Sequence, residues 1–544
     1  MDYTLALTRH AAATMETHLL GDRRTEQMAV TLCGVSRMPH EVRLLVRDVI
    51  LLPPDAFRRQ SIAQLELKPE VQAFIHRRAD EHGLVQVDWH SHPGGGSYVA
   101  FSPTDDRYEA AQAAYLAHKM NGVPYGSVVV NEGAMDARLW ITRVSKSARR
   151  RKQAQPAPIT YRPQAHPLQA ILSGDLQRRI PVSTQRLQRA GASFISPIFD
   201  RQVRAFGQAF QRKMNALRVG VVGLGAMGGA MVEHLARLGV REWVLVDPDV
   251  VTLSNLNRLV NATTTDAQKA RPKVNVARST VRQVTPKAYV RALQADVFDP
   301  EAQRALKSCD LLIAATDNHS SRVALNRLAV QYLIPLVHLG FNVTVEPKGR
   351  EVADVSGEVA IPDLGRWCLQ CAGIVNLQQA GWELASPDQR ALLRQRGYVD
   401  DTPAPAVHHL DGVVAALAAA EIHNLVHAFR PQQRYLVYDA LQTKLVPLQV
   451  TPSENCPVCS AEHGVLGLGD LEPLPDYRRA SRVQLPPPRR PAEETAAGTG
   501  GKAAAPPAKQ ENMAVFQLAT PLPDRQERAR RMQAAMAEDE EEWE

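Results

Sequence analysis

Residues 217–258 read LRVGVVGLGAMGGAMVEHLARLGVREWVLVDPDVVTLSNLNR. The apolar run Val219 to Val222 predicts a short strand buried on both faces, as in a parallel sheet. Gly223, Gly225 and Gly228 then form GxGxxG, and Met231, Val232, Leu235 and Leu238 follow at helical spacing. A second strand, Trp243 to Val246, ends on Asp247. This is the βαβ order that binds nucleotides. The glycines permit a tight turn and close approach to phosphate, the helix N-terminus faces the anion, and the carboxylate reaches a ribose hydroxyl. By itself the motif serves a nicotinamide dehydrogenase at least as well as any other nucleotide enzyme.

The residues beyond it narrow the choice. Asp247 opens DPDVVTLSNLNR, Lys273 lies in RPKV and Asp317 in ATDN. A carboxylate that attacks an α-phosphate needs its like charges neutralised, and the departing pyrophosphate needs Arg, Lys and Mg²⁺. On these motifs the chain resembles the ThiF/MoeB family and the adenylation half of ubiquitin-activating enzymes, from about Phe199 to about Cys459. The resemblance implies that ATP is used to adenylate the C-terminal glycine of a ubiquitin-like or sulfur-carrier protein. It also implies that Asp247 holds the ribose, that Asn255, Arg258 and Lys273 contact phosphates, and that Asp317 positions Mg²⁺. Arg201, in FDRQ, matches an arginine the family supplies from the opposite subunit, which implies a homodimer.

Upstream, Met1 to about Val144 reads as a separate α/β unit. Ala29–Val35 and Val42–Leu52 are expected strands, Val71–Asp80 and Tyr108–Met120 helices, and Val85–Trp89, Gly126–Asn131 and Ala137–Arg143 further strands. The strand at Val85 runs into His90-Ser91-His92-Pro93, followed by Gly94-Gly95-Gly96 and then Ser102-Pro103-Thr104-Asp105. Two imidazoles two residues apart at a strand end point the same way, and Asp105 adds an oxygen ligand. Two His, one carboxylate and an open position describe a hydrolytic zinc site. With these residues the segment resembles the JAB/MPN metalloproteases, whose signature is a distant Glu, HxH and SxxD. The resemblance implies cleavage of peptide or isopeptide bonds after a ubiquitin-like modifier, with Glu26 as general base and Ser102 stabilising the oxyanion. Glu16, Glu41 and Glu81 are rival bases, and Asp106 is a rival ligand. The interval from His92 to Ser102 is two residues longer than that family's pattern, the extra length falling in the glycine run.

Six cysteines are present. Cys368 and Cys371 form one CxxC pair, answered far downstream by Cys456 and Cys459. Paired CxxC motifs predict a closed tetrahedral thiolate zinc site that clips a long excursion back to its domain. The same arrangement marks the zinc-bearing branch of the adenylating family. Two zinc ions are therefore expected, one catalytic and one structural. Cys33 and Cys309 read as small core residues. No cysteine stands between the pairs, where many ubiquitin-activating relatives keep a thioester cysteine, so the adenylate is expected to pass to a thiol on another protein.

The expected organisation is a JAB/MPN-like domain at 1–146, a linker at 147–198 with a short helix at Leu168–Gln177, a Rossmann-like doubly wound adenylating domain at 199–480, and a disordered tail at 481–544 with a helix at Asp524–Ala537. Within the adenylating part, helices are expected at Phe199–Leu217, Lys273–Val284, Arg322–Tyr332, Gly381–Gly397 and Leu410–His427, with a loop at Asp400–His409. Strands are expected at Ala288–Leu293, Asp310–Thr316 and Leu336–Leu339. A net charge of +7 over 544 residues is modest. The cluster Arg149-Arg150-Arg151-Lys152 borders a proline-containing stretch, and is read as solvated rather than as a nucleic-acid site. The chain has no apolar run of about twenty residues and no basic-then-apolar start, so a soluble cytoplasmic protein without membrane partners is expected. The reading is thus an adenylyltransferase fused to a zinc protease, acting with a separate conjugating enzyme or sulfur-transfer protein. The modifier serves protein conjugation, including phage defence, or sulfur delivery to a cofactor or cysteine pathway. A nicotinamide dehydrogenase with an unrelated metal domain, and a binding scaffold with degenerate sites, are the alternatives of other classes.

Overall fold

The computed structural model describes residues 1–62, 64–146, 159–187, 195–345, 352–395 and 406–477. Its first part runs β1 (Asp2–Leu7), α1 (Arg9–Gly21), β2 (Met28–Met38), β3 (Glu41–Leu51), β4 (Phe57–Gln60), β5 (Leu65–Leu67), α2 (Pro69–His82), β6 (Val85–Ser91), α3 (Pro103–Lys119), β7 (Tyr125–Val130) and β8 (Met135–Lys146). Then come β9 (Ile159–Pro167), β10 (Ala170–Ser173), β11 (Gln177–Arg179) and α4 (Val182–Leu187). Nine of these strands make one sheet in the order β11-β10-β1-β3-β2-β6-β7-β8-β9, and β4 pairs with β5 alone.

The helix expected at Leu168–Gln177 is not formed. That segment supplies β10 and the start of β11, with Thr4–Leu7 of β1 pairing in parallel to Ala170–Ser173. The open edge of β1 offers a ladder that an isolated helical turn does not, and Leu168, Ala170 and Ile171 become fully buried on it. Strands β9, β10 and β11, which fall within the expected linker, are thus built into the sheet. Strand β1 and helix α1 have no counterpart in the expected elements.

The second part runs α5 (Asp200–Ala216), β12 (Arg218–Val222), α6 (Ala226–Leu238), β13 (Glu242–Val246), α7 (Thr264–Gln268), α8 (Lys273–Val284), β14 (Tyr289–Leu293), α9 (Pro300–Leu306), β15 (Leu311–Ala314), α10 (His319–Tyr332), β16 (Leu336–Val345) and β17 (Val352–Ala360). It closes with α11 (Leu377–Glu383), α12 (Pro387–Gln395), α13 (His408–Val426), β18 (Tyr435–Asp439) and β19 (Lys444–Pro447). The eight-stranded sheet has the order β14-β13-β12-β15-β16-β17-β18-β19. Strands β14 to β16 are parallel, and β17 to β19 extend the sheet antiparallel. The chain leaves β12 for β13 on one side and returns to β15 on the other. That reversal opens a crevice at the strand ends.

Gly381 to Gly397 was expected as one helix. It is two, α11 and α12, separated where Ser386 caps the second through Gln389 N at 3.3 Å. Gly397 and the first part of the expected Asp400–His409 loop lie outside the described residues, as do Arg149 to Lys152 and the tail with its expected helix at Asp524–Ala537. Helix α13 begins at His408, two residues before the expected Leu410.

The two parts share a core. Ala6 and Leu45, on one face of the first sheet, belong to the same buried cluster as Leu325, Leu328, Val330 and Leu468 of the second part. The segment after Cys459 forms a strap over the junction. Val35 bridges Gly469, and Asp470 accepts from Arg37 N at 2.6 Å, Tyr332 Oη at 2.9 Å and Lys307 Nζ at 3.0 Å. A Cβ built on Gly34 would lie 2.1 Å from Gly467 O, so only glycine fits at this crossing. Among the described residues no helix is long and apolar enough to cross a membrane.

Candidate adenylation site and metal centres

Three strand ends converge on the crevice. Val222 pairs with Val246 on one side and with Ala314 on the other. The residues that follow, Gly223, Asp247 and Ala315 to Asp317, therefore stand side by side. Gly223 has φ +84°, and its Cβ would lie 2.5 Å from Ala315 O. A Cβ on Gly228 would lie 1.9 Å from Gly223 O, so the third glycine is demanded by the closeness of turn and helix. Gly225 caps α6, and a Cβ there would meet nothing within 4 Å. The loop backbone at the helix N-terminus lies open, which suits a phosphate.

Asp247 is buried and receives Leu224 N at 2.6 Å and Asp249 N at 2.8 Å, which ties the glycine loop to the end of β13. Burial raises its carboxyl above the ordinary value, against the Lys273 charge and the two N–H donors. Lys273 starts α8 and reaches Asp249 Oδ2 at 2.8 Å, so α8 brings it to the Asp247 end of the crevice. Asn255 caps a short turn through Thr252 N at 3.1 Å. Arg258 bonds Ser254 O at 2.7 Å and lines a cleft of about 410 Å³ with Glu233, His234, Asn261 and His408. Asp317 is exposed beside Arg322, whose guanidinium is pulled below its usual range by burial, against Glu358, Asp317 and Glu383. Arg201 is not brought to this site. Its neighbour Gln202 bonds Arg237 O at the far end of α6, about 20 Å from the glycine loop for a helix of this length.

At the other candidate site, β6 carries His90 and leads directly into His92, and the two ring centres lie 5.0 Å apart. Asp105 arrives on the first turn of α3, where Ser102 caps the helix and Pro103 starts it. Asp105 Oδ1 is 3.8 Å from His90 Nε2, and Oδ2 is 3.9 Å from His92 Nε2. The three ligand atoms lie within 4.8 Å of one another. His90 Nε2 is buried without a hydrogen bond, an orphaned ring nitrogen that a metal ion would satisfy. Asp106 turns away to Arg138 at 2.6 Å. Glu26 lies two residues ahead of β2, with Oε1 3.9 Å from His92 Nε2. Burial pushes its carboxyl up to about 7, with His90 opposing and Asp105 adding to the rise. Of the rival bases, Glu16 pairs with Arg179 and Glu41 with Arg43. Ser102 Oγ accepts from Asp105 N at 3.2 Å, leaving its hydroxyl proton to donate.

Cys368, Cys371, Cys456 and Cys459 form the second cluster. Their Sγ separations are 3.9, 3.8 and 3.5 Å for 368–371, 368–456 and 371–459. Four thiolates about 2.3 Å from one zinc have tetrahedral edges of about 3.8 Å, so the set fits zinc as it stands. Asn326 braces it, accepting from Leu369 N at 2.9 Å and donating to Cys368 Sγ at 3.4 Å. Cys33 and Cys309 are fully buried core residues, and burial pushes the Cys33 thiol up to about 12.

The molecule is thus a nucleotide-type α/β crevice joined to an α/β unit with a His-His-Asp centre. The crevice lies within a ThiF family domain spanning residues 199–458, and the His-His-Asp centre within a domain of the prokaryotic JAB homologues spanning residues 10–151. Among curated proteins, the SAMP-activating enzyme E1 of Haloferax volcanii is 28% identical over 285 residues, 51% of this chain and 92% of that protein. The molybdopterin-synthase adenylyltransferase of Escherichia coli is 26% identical over 265 residues, 48% of this chain and 95% of that protein. The sulfur carrier protein ThiS adenylyltransferase of the same organism is 27% identical over 256 residues, 46% and 90% of the two chains. With a ThiF domain in this position, the dehydrogenase alternative falls away.

Proposed function

We propose that the chain adenylates the C-terminal glycine of a ubiquitin-like or sulfur-carrier protein, and that its first domain cleaves peptide or isopeptide bonds after that modifier. The observation that carries the first part is the convergence of the glycine loop, Asp247 and Asp317 at adjoining strand ends. A carboxylate oxygen of the terminal glycine attacks the α-phosphorus of ATP, and the bond to the pyrophosphate oxygen breaks. Asp247 receives the ribose hydroxyls, and the backbone at the α6 N-terminus faces the phosphates. Lys273, Arg258 and Asn255 offset the charge that gathers on the leaving pyrophosphate. Asp317 would hold Mg²⁺, which when bound neutralises phosphate charge. Since Arg201 stands a helix length from its own glycine loop, it serves the site of a second copy. Relatives that act on SAMP, molybdopterin synthase and ThiS support a small protein as substrate. With both remaining cysteines buried, the adenylate is passed to a thiol of another protein, in conjugation or in sulfur transfer.

In the first domain, His90, His92 and Asp105 would hold zinc, which when bound acidifies water and polarises a carbonyl. Glu26 takes the water proton and returns it to the leaving amine, while Ser102 donates to the carbonyl oxygen as it gains charge. The Cys368/Cys371/Cys456/Cys459 zinc is structural, because four thiolates leave no open position.

ATP–pyrophosphate exchange with candidate modifier proteins tests the first part. Asp317→Ala and Arg258→Ala should each lower exchange about 100-fold or more while modifier cleavage persists. Glu26→Gln should do the reverse, with both zinc ions retained. Full exchange in both Asp317→Ala and Arg258→Ala would sink the assignment.

A further inference from the structure

Asp105 does not share an element with His90 and His92. His90 lies in β6 and His92 one residue past its end, whereas Asp105 enters on α3 after the loop 93–101, whose three glycines cannot stiffen it. The capping box fixes the carboxylate within its own turn, since Asp105 Oδ2 takes Ser102 N at 2.6 Å. It does not fix that turn against β6.

We propose that Arg138 is the positioning residue of this centre, clamping the Ser102–Asp105 turn against the two imidazoles. Arg138 lies on β8, opposite Ser127 of β7, which in turn neighbours β6. Its guanidinium carbon sits 3.8 Å from the centre of the Phe101 ring, one residue before the turn. Nη1 meets Asp106 Oδ1 at 2.6 Å, one residue after it. Nε meets Glu109 Oε2 at 2.7 Å, one helical turn further on. Three contacts from one planar group therefore bracket the ligand. Phe101 continues the chain of contacts to His90, ring centre to ring centre at 6.2 Å. The clamp is itself anchored: Glu109 is only 3% exposed and also accepts from Ser127 Oγ and Trp140 Nε1, both at 2.7 Å. A lysine carries the charge but not the flat fork that stacks and pairs at once.

The inference rests on the zinc reading of the His90/His92/Asp105 centre, so the test measures metal rather than cleavage. The full chain is stripped of metal and titrated with zinc against a chromophoric chelator, with cobalt absorption separating the thiolate site from the histidine site. Arg138→Met should weaken the histidine site about 10- to 100-fold, the usual effect of losing an outer-shell partner, with the thiolate site unchanged. Arg138→Lys should fall between. A lower melting temperature for Arg138→Met with histidine-site affinity equal to wild type overturns the positioning role. Should Arg138→Met fail to fold, Phe101→Leu and Asp106→Ala each remove one contact, and unchanged affinity in both overturns it equally. Failure of the underlying reading shows earlier, as a wild-type chain that takes up one zinc only.

Discussion

Asp88 shows what a single buried carboxyl contributes. It is enclosed beneath His90, accepting from Gln86 Nε2 at 2.7 Å and from Tyr125 Oη at 2.8 Å. Burial pushes its carboxyl up to about 6, the two donors and His90 opposing, Glu109 adding. Its folded value thus lies above the unfolded one, near 3.9. The folded state then binds more protons between about pH 4 and pH 6, and stability falls as pH rises through that window. A shift of this size is an upper bound of about 3 kcal/mol. Thermal unfolding of wild type and Asp88→Asn from pH 4 to pH 8 checks it. The wild type should lose ground to the variant up to about pH 6 to 7, and the difference should then level. A difference independent of pH would mean the carboxyl is not held above its ordinary value.

At the scale of elements, the thiolate cluster and the strap are one device. Cys456 and Cys459 end the excursion that begins at Cys371, and the chain then crosses directly onto β2 and β3. Arg47 of β3 holds the carbonyls of Gly464 at 3.3 Å and Leu466 at 2.8 Å, and also that of Ala461. Gln331 of α10 holds Gly469 O at 2.8 Å. Zinc at a closed thiolate site contributes on the order of 10 kcal/mol to local folding. Cys371→Ser should therefore loosen not only the knuckle but the strap and, through it, β2 and β3. Hydrogen exchange should quicken at residues 464–470 and 28–51, and zinc content should fall by one. Protection unchanged across β2 and β3 in a zinc-depleted variant would show that the strap holds without the metal.

At the scale of the whole molecule, the shared core predicts that the two parts unfold together. Gly34→Leu places a side chain where Gly467 O already lies, and overpacking of a close crossing costs on the order of 3 kcal/mol. Calorimetry should show the single transition of the wild type parting into two. One undivided transition at the wild-type temperature would mean the junction yields without cost. A further prediction concerns two copies of the chain. Mixing Arg201→Ala with Asp317→Ala, each inactive alone, should restore exchange at about one quarter of the sites, since random pairing makes half the dimers mixed and each mixed dimer keeps one intact site. No recovery despite demonstrated subunit exchange would place Arg201 outside the nucleotide site.

What the sequence by itself determined was local chemistry with short spacing. GxGxxG followed by Asp247, the HxH and SPTD pair, and the two CxxC pairs were legible because each is set by backbone turns or ligand geometry within a few residues. Tertiary structure decided the rest, because it joins positions far apart in the chain. The edge of β1 turned an expected helix at 168–177 into strands. Packing sets Asp105 beside the two histidines and pairs Asp106 with Arg138. The strap after Cys459 had no periodic signal, since its glycines, its carbonyls and the Asp470 carboxylate bind residues more than a hundred positions away. Arg138, too, sits unmarked in an ordinary strand, and only the folded chain sets it against Phe101 and Asp106, because non-local contacts of this kind leave no trace in spacing.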